Sequence, residues 1–255
     1  MRVTAVTGSA SGMGAALRAR LEAAGERVIG VDVRDADIRA DLATPDGRAA
    51  AIAGVRAAAG GRLDGLVACA GLGPHVEPCA TIVAVNYFGA QAVLAGLREA
   101  LAAGERPAAV AVSSNSAALP GAESPLVAAC LAGDEPEARR LAPALGGHPT
   151  YAGAKLALAR WVRRSAPGAD WAGAGIRLNA IAPGAVATPL LEDGLAHPTL
   201  GPAIRGFPIP LGGFGVPEQI AAGIAFLLGP AAAFCCGTVL VADGGSDALL
   251  RPDAW

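Results

Sequence analysis

The sequence predicts one α/β domain in which helices cover both faces of a doubly wound parallel sheet. Short apolar runs alternate with helical segments along the 255 residues, which is the pattern of repeated βαβ units. The apolar runs do not alternate with polar residues, as expected of strands that are buried on both sides. No repeat, linker or change of composition divides the chain, so we predict a single domain over residues 1–255.

The elements follow from these runs in order. The predicted strands are residues 3–6, 28–31, 65–68, 108–112, 176–181 and 238–241. The predicted helices are residues 12–24, 45–59, 86–103, 151–165 and 217–228.

Two segments interrupt the alternation. The insert at 120–149 is long for a connection, and Ser124-Pro125 and Asp134-Glu135-Pro136 predict helix starts inside it. The second segment, 188–216, carries several large apolar residues beside the predicted catalytic face, and this favours a substrate lid. Ordinary packing of a satellite cluster is the alternative. The large apolar residues of the segment 188–216 are Leu190, Leu191, Phe207, Ile209, Leu211 and Phe214.

Composition excludes several classes of function. Apolar residues make up 53% of the chain, enough for a large core, and the net charge is −2. No surplus of basic residues is present to neutralise phosphates, so nucleic acid is not an expected partner. The uncharged stretch 220–242 is as long as a membrane span, but Gly229-Pro230 interrupts it. We interpret it as helix, turn and buried strand, and expect no membrane partner.

The five cysteines are odd in number and show no CxxC spacing. They predict neither a disulfide framework nor a zinc site, and no metal is expected. Reduced thiols in the core of a cytoplasmic enzyme fit this pattern. The first residues lead directly into the next motif and leave no room for a signal peptide, which also favours a cytoplasmic location.

A glycine-rich motif, Thr7-Gly8-Ser9-Ala10-Ser11-Gly12-Met13-Gly14, stands where the first strand passes into the first helix. Glycine is needed there because a Cβ atom would hold a pyrophosphate away from the backbone. The helix N-terminus adds free N–H groups and a partial positive charge. Residues Gly8, Ser11, Gly12, Met13 and Gly14 are therefore predicted to hold the phosphates of a dinucleotide, as in Rossmann-type domains.

An acidic residue, Asp32, ends the second strand. A carboxylate there accepts hydrogen bonds from an adenosine ribose and repels a 2′-phosphate, so NAD is predicted rather than NADP. Arg34 is the opposing signal, because a guanidinium can bind that phosphate. Asp41 and Leu42 are predicted to lie along the adenine.

Tyr151 and Lys155 are spaced by four residues and share one face of a predicted helix. A free tyrosine has a pKa of about 10, too high for a base at neutral pH. A nearby ammonium and a positive nicotinamide ring both favour the phenolate. We therefore predict that the pKa of Tyr151 is lowered and that Tyr151 is the general acid/base.

Other polar residues accompany this pair. Ser113 and Ser114 end a strand, where α/β sheets bind ligands, and Ser114 is predicted to hold the substrate oxygen against Tyr151. Asn86 is predicted to open a helix, where its amide holds a water next to Lys155 or, alternatively, only caps the helix. The histidines share no ligand spacing and are expected in solvated loops. They are His75, His148 and His197.

At these residues the chain resembles the short-chain dehydrogenase/reductase family over nearly its whole length. Residues 7–14 match the family's TGxxxGxG pattern, and residues 183–188 match its PGxxxT pattern. The catalytic tetrad is matched in order by Asn86, Ser114, Tyr151 and Lys155. The resemblance implies an NAD-dependent enzyme that is a homodimer or homotetramer.

The resemblance also implies further cofactor contacts. Pro183, Gly184 and Thr188 are expected near the nicotinamide carboxamide, and Lys155 is expected to bond the nicotinamide ribose as well. Cys69-Ala70-Gly71 stands where most relatives carry Asn-Ala-Gly, so an amide is lost while backbone contact with the adenosine side is expected to persist. The insert before Tyr151 lies next to a helix that often forms a subunit interface in the family, and it is expected to alter the mode of dimerisation.

Within the family, the segments 70–74 and 85–90 are most similar to bacterial enzymes acting on 3α-hydroxysteroids and assorted carbonyls. The resemblance therefore implies reversible oxidation of a secondary alcohol on an apolar substrate, such as a 3α-hydroxysteroid or a related carbonyl compound. Dehydrogenation of another aromatic or alicyclic alcohol is the main alternative. An epimerase or dehydratase on the same fold and a non-catalytic NAD-binding sensor are less favoured, because the chain is short and its catalytic residues are intact.

Overall fold

The computed structural model describes residues 1–254, and these contain a seven-stranded parallel sheet in the order β3-β2-β1-β4-β5-β6-β7. Each predicted strand is present to within two residues. The additional strand, β3, is a two-residue edge strand too short to leave a periodic signal in the sequence. The strands are β1 (Val3–Thr7), β2 (Arg27–Asp32), β3 (Ile38–Arg39), β4 (Gly65–Ala68), β5 (Ala108–Val112), β6 (Arg177–Pro183) and β7 (Val239–Ala242).

Twelve α-helices connect and flank these strands within residues 1–254. A π-helical turn, Ala84–Gly89, joins α3 to α4. The helices are α1 (Gly12–Ala23), α2 (Pro45–Ala58), α3 (Cys79–Val83), α4 (Ala90–Gly96), α5 (Arg98–Ala102), α6 (Pro125–Ala132), α7 (Glu135–Leu145), α8 (Gly147–Ser165), α9 (Pro189–Ala196), α10 (Leu200–Gly206), α11 (Pro217–Leu228) and α12 (Ser246–Leu250).

The order of the strands creates a crevice at the carboxyl ends of the central strands. From β1 the chain builds outward to β2 and β3, then crosses over to β4 and continues in the opposite direction to β7. In open parallel sheets, ligands bind at the carboxyl ends of the strands where this reversal occurs. The predicted Rossmann-type, doubly wound fold is thus confirmed.

Two apolar clusters cover the two faces of the sheet. One contains Leu66 of β4, Leu94 of α4 and Leu158 of α8. The other contains Leu17 of α1 and Ile224 of α11. Burial on both sides explains why the strands are uniformly apolar.

Helix boundaries differ from prediction at two places that matter for the site. The helix predicted over 86–103 begins at Cys79, so Asn86 lies inside a π-helical turn and does not open the helix. Residues 79–85 include β-branched side chains that disfavour helix locally, but burial in the core overrides this preference. The helix predicted from Tyr151 begins one turn earlier, at Gly147.

The insert forms the two helices that its sequence predicts. Pro125 begins α6, and Asp134 caps α7 by accepting the N–H of Glu137 at 3.0 Å. Both helices pack on α8. The stretch 220–242 is helix, 3₁₀ turn and strand, as predicted.

One helical segment, residues 79–96, has the length and apolar character of a membrane span. In the fold, 67% of this segment is buried against the rest of the protein. A core helix of a globular domain has these same properties.

Candidate active site

A cavity of about 680 Å³ lies along the carboxyl edge of the sheet. Every residue predicted to bind the cofactor lines it, and so do three of the predicted catalytic residues, Ser114, Tyr151 and Lys155. The predicted cofactor residues are Gly8, Ser11, Gly12, Met13, Gly14, Asp32, Asp41, Leu42, Cys69, Ala70, Gly71, Tyr151, Lys155, Pro183, Gly184 and Thr188. Asn86 is fully buried beneath the cavity wall.

The glycine-rich turn is fixed by close backbone contacts. Gly8 has a φ of +71°, and a Cβ atom there would lie 2.8 Å from the backbone of Ala70. A Cβ atom on Gly14 would collide with the carbonyl of Gly8. Among the described residues, the Ser11 side chain makes no capping bond to α1, so the first N–H groups of the helix stay available at the cavity. This cradle suits a pyrophosphate.

Asp32 presents a carboxylate at one end of the cavity. Its Oδ2 atom accepts the N–H of Ala10 at 3.0 Å, and its Oδ1 atom accepts the N–H of Val33 at 2.7 Å. These bonds hold the side chain between β2 and the glycine-rich turn. Arg34 is exposed and is not among the described residues that line the cavity. A ribose diol fits this environment better than a 2′-phosphate does.

The turn after β4 forms the middle of the cavity wall. The Thr7 hydroxyl accepts the N–H groups of Cys69 and Ala70, both at 3.1 Å, and so fixes the backbone of this turn. Burial raises the pKa of the Cys69 thiol to about 11, despite the nearby Lys155. Cys69 is therefore a neutral thiol at physiological pH, and its turn contributes mainly backbone to the site.

Two hydrogen bonds connect α8 to the end of β5. The Ser113 hydroxyl donates to the main-chain carbonyl of Lys155 at 2.9 Å. The Lys155 ammonium donates to the carbonyl of Val112 at 2.8 Å. Because Tyr151 lies one turn earlier on the same helix, these bonds also place its ring, whose centroid is 5.9 Å from Lys155 Nζ.

Ser114 links the strand end to the phenol. Its hydroxyl accepts hydrogen bonds from Ser116, from the N–H at 3.2 Å and from Oγ at 2.9 Å. Its side chain also lies close enough to the Tyr151 phenol to lower the pKa of that group. A substrate oxygen held by Ser114 would therefore lie beside the phenol.

The pKa of Tyr151 contradicts the sequence-based expectation. Burial raises it above its ordinary value, and the neighbouring Ser114 only partly offsets this effect. The Lys155 ammonium, 5.9 Å from the centroid of the Tyr151 ring, donates its hydrogen bond to the Val112 carbonyl. Burial lowers the pKa of Lys155 to about 8. In this structure Tyr151 is a neutral phenol and a proton donor.

Asn86 supports the site from below. Its Oδ1 atom accepts the Leu72 N–H at 2.8 Å, and its Nδ2 atom donates to the Leu72 carbonyl at 2.9 Å. A Cβ atom on Gly71 would lie 3.3 Å from Asn86 Oδ1 and 3.5 Å from Lys155 Nζ. The amide thus fixes the turn next to Lys155, a role that the sequence did not indicate. Its predicted role in holding a water stays a prediction.

The opposite end of the cavity is apolar and comes largely from the segment 188–216. Thr188 accepts the N–H of Leu191 at 3.3 Å and so begins α9. The cavity-lining side chains of this segment include Leu190, Leu191, Leu200, Ile204 and Phe207. Three others predicted to contribute, Ile209, Leu211 and Phe214, lie outside the cavity wall. The segment covers the expected substrate position, and a lid motion stays a prediction.

Two histidines lie in this wall, although solvated loops were expected. His75 lies beside Gly73 and close to Gly194 of α9, and its Nδ1 atom is buried without a hydrogen-bond partner among residues 1–254. His148 stands three residues before Tyr151 on α8 and lines the cavity although it is exposed. The spacing of His148 would have revealed it had the helix start been placed correctly. His197 is a local loop residue that accepts the N–H of Leu200 at 3.4 Å.

Comparison with known proteins agrees with this geometry. Residues 137–247 match the family model described as enoyl-(acyl carrier protein) reductase. The chain is 47% identical to the 3-alpha-hydroxysteroid dehydrogenase/carbonyl reductase of Comamonas testosteroni, with 99% of both chains covered. It is 32% identical to the cis-4-hydroxycyclohexanecarboxylate dehydrogenase of Sinomonas cyclohexanicum, with 97% of both covered.

Solved structures give the same result. The crystal structure of the 3-alpha-hydroxysteroid dehydrogenase from Pseudomonas sp. B-0831 complexed with NADH matches with a TM-score of 0.97 and 52% identity, covering 99% of this chain and 100% of that one. Levodione reductase matches with a TM-score of 0.76 and 26% identity, covering 97% and 98%.

Proposed function

The chain belongs to the short-chain dehydrogenase/reductase family, and from this premise we propose that it interconverts a secondary alcohol and a ketone on an apolar substrate with NAD(H). The observation that carries this proposal is the composition of the cavity. A dinucleotide cradle, the Ser114–Tyr151–Lys155 group and an apolar end occur in that one space. A 3α-hydroxysteroid or a related carbonyl compound is the proposed substrate, in keeping with the relatives at 47% and 52% identity.

The residues present fit NAD. The glycine-rich turn and the N-terminus of α1 would hold the pyrophosphate, and the Asp32 carboxylate would hold the adenosine ribose. Pro183, Gly184 and Thr188 would lie at the nicotinamide. When bound, NAD supplies the hydride acceptor and a positive ring that favours the phenolate.

The protein residues move the proton and orient the substrate. The Ser114 hydroxyl holds the substrate oxygen next to the phenol of Tyr151. In ketone reduction, the neutral phenol donates its proton to the developing alkoxide, and burial keeps the phenol protonated until then. In alcohol oxidation, the phenolate accepts the hydroxyl proton, and the Lys155 ammonium in the same cavity favours that charge. Lys155 is proposed to bond the nicotinamide ribose as well.

An activity panel tests the proposal. Purified protein is incubated with NAD or with NADP and with 3α- and 3β-hydroxysteroids, simple aromatic alcohols and alicyclic alcohols, and cofactor reduction is followed by absorbance. We expect turnover with NAD, highest for a 3α-hydroxysteroid. Turnover of an alicyclic or aromatic alcohol alone would shift the assignment to the alternative substrate class, which the 32%-identical relative represents. Absence of cofactor reduction with every alcohol, and of NADH oxidation with the matching ketones, would contradict the proposal.

The assembly and location are also proposed. We propose a cytoplasmic homo-oligomer, a homodimer or homotetramer. The five cysteines are all free, which supports a reducing compartment. Phe226 of α11, Phe234 in the turn that precedes β7, and Val241 of the edge strand β7 are exposed, and these apolar side chains support an interface in this region. Light scattering of the purified protein tests the oligomer, and a monomer at micromolar concentration would contradict it.

A further inference from the structure

The side chain of Arg48 is buried although it stands in the first part of α2, near the cavity but outside its lining. It is 7% exposed, and its guanidinium donates to three main-chain carbonyls and to one carboxylate. A buried guanidinium is costly unless its donors are satisfied and its charge is paired. The groups that accept hydrogen bonds from Arg48 therefore indicate which segments of the chain it connects.

The first partners are main-chain carbonyls of the predicted adenine wall. Nε donates to the Leu42 carbonyl at 2.8 Å, and Nη2 reaches the Ala43 carbonyl at 3.4 Å. Asp41, Leu42 and Ala43 all line the cavity. Arg48 therefore binds the main chain of this wall although it does not itself line the cavity.

A further partner lies in the central helix. Nη2 donates to the carbonyl of Ala84 at 3.0 Å, at the start of the π-helical turn that contains Asn86. A Cβ atom on Gly89, at the end of that turn, would lie 3.0 Å from Leu42 Cβ. The adenine wall thus packs directly on the turn, and Arg48 joins the two.

The charge of Arg48 is balanced from the insert. Glu135, the first residue of α7, binds the guanidinium through both carboxylate oxygens, at 2.6 and 2.8 Å. Burial raises the pKa of Glu135, but the hydrogen bonds from Arg48 and Arg139 outweigh this effect and keep it below its ordinary value. Arg139, one turn along α7, reaches the Ala43 carbonyl at 3.5 Å. These side chains therefore connect the insert to the adenine wall.

We propose that Arg48 is a positioning residue for the adenosine half of NAD(H), and that Glu135 of the insert holds Arg48 in place. The inference rests on the proposed function, because it takes the wall at 41–43 as the adenine site. Only a planar fork satisfies two carboxylate oxygens and the carbonyls of two segments at once, so lysine cannot replace arginine here. The insert thereby contributes to cofactor affinity without contacting the cofactor.

The test compares the binding of NADH with that of NMNH, the reduced cofactor without its adenosine half. Both are titrated into the wild type and the Glu135→Gln variant, with nicotinamide fluorescence as the signal. Glu135→Gln keeps the shape but removes the charge, so the dissociation constant of NADH should rise about tenfold. NMNH binding should stay within about twofold, since NMNH does not reach the wall.

Glu137→Gln is the matched control. Glu137 lies on the same helix, and its carboxylate accepts two hydrogen bonds from the exposed Arg140, both at 2.7 Å. This variant should bind NADH as the wild type does. Arg48→Lys should reproduce the loss seen in Glu135→Gln, because it keeps the charge and loses the fork.

A double variant keeps the test valid if a single variant does not fold. Arg48→Met with Glu135→Leu removes both buried charges together, which buried pairs often tolerate, and circular dichroism checks that it folds. It should still lose NADH affinity, since the carbonyls of the wall lose their donor. Wild-type NADH affinity in this folded variant, or equal weakening of NADH and NMNH in Glu135→Gln, would overturn the proposal. A wild type that binds no NADH would instead refute the proposed function.

Discussion

The cofactor end of the cavity is built from backbone turns and short polar side chains, whereas the substrate end is built from apolar side chains on two short helices. At the cofactor end, Gly8, Gly14 and Asp32 are fixed by backbone contacts or by hydrogen bonds of 2.7 to 3.0 Å. At the substrate end, Leu190, Ile204 and Phe207 of the segment 188–216 line the cavity with side chains that carry no polar group. The positions of the groups at the cofactor end determine the chemistry, and the shape of the apolar wall at the substrate end determines which substrates fit.

This difference explains why the two ends tolerate change differently. A pyrophosphate and a proton donor need groups at defined points, so single atoms decide function there. An apolar pocket distinguishes ligands by about 1–3 kcal/mol per methylene-sized change. Loss of one group should therefore be severe at the cofactor and catalytic end and graded at the substrate end.

The largest expected effect is that of Tyr151→Phe. Removing the phenolic proton donor should lower turnover about 10³- to 10⁴-fold while NADH affinity stays unchanged. Steady-state kinetics and NADH titration measure both. Tyr87→Phe is the matched control, since Tyr87 is buried in the core and does not line the cavity. Similar losses in both variants would remove the special role of Tyr151.

The titration of Lys155 tests whether water is excluded from the catalytic end of the cavity. Lys155 is the only lysine of the chain, so selective isotopic labelling gives one lysine side-chain signal. Its pKa should be about 8 instead of 10.5, because burial disfavours the ammonium. Between these pH values Lys155 keeps its proton in the unfolded chain but has released it in the folded protein, so the contribution of Lys155 to stability should increase with pH by about 3 kcal/mol.

Denaturant unfolding of the wild type and of Lys155→Met across this pH range measures that contribution as the change in the stability difference between them, because buried thiols such as Cys69 and Cys130 affect both proteins. A lysine signal that titrates near 10.5, or a stability difference between wild type and variant that does not change with pH, would show that the ammonium is solvated. The catalytic end would then resemble the open substrate end more than the structure indicates.

The sequence was enough to predict that the residues of the cofactor end lie together in one cavity, because they end or follow strands. The glycine turn follows β1, Asp32 ends β2, Cys69 follows β4 and Ser114 follows β5, and strands could be located from their apolar runs. Parallel strands bring their carboxyl ends together, so sequence order was enough to assemble this part of the cavity.

The features of the site that were not predicted depend on tertiary contacts, which the local sequence does not encode. Arg48 has the appearance of a solvated residue on α2, yet it is buried by Glu135, distant in the chain. Asn86 lies in a π-helical turn because the core helix starts earlier than its β-branched residues suggest. The pKa of Tyr151 depends on burial and on the neighbouring Ser114, both of which are tertiary properties.

Asp32→Ala should have an intermediate effect and tests cofactor selection. Loss of a charged acceptor for the ribose hydroxyls should weaken NAD about 10- to 100-fold, and NADP much less, because repulsion of its 2′-phosphate is relieved. The ratio of kcat/KM for the two cofactors measures this change. Asp35→Asn is the control, since Asp35 is exposed and does not line the cavity. Equal weakening of both cofactors would end the argument for NAD selection.

The smallest effect is expected from Ile204→Ala at the substrate end. Ile204 lines the apolar wall from α10, and its truncation removes contact with the substrate but no polar group. The KM of an apolar substrate should rise about tenfold, as for the loss of a few buried methyl or methylene groups, with NADH affinity unchanged. Leu211→Ala is the control from the same segment, because Leu211 is 86% exposed. If Ile204→Ala instead weakened NADH binding as strongly as it weakened substrate binding, the two ends would not be separable. The cavity would then behave as one cooperative unit, in which the packing of α10 helps to set the cofactor cradle.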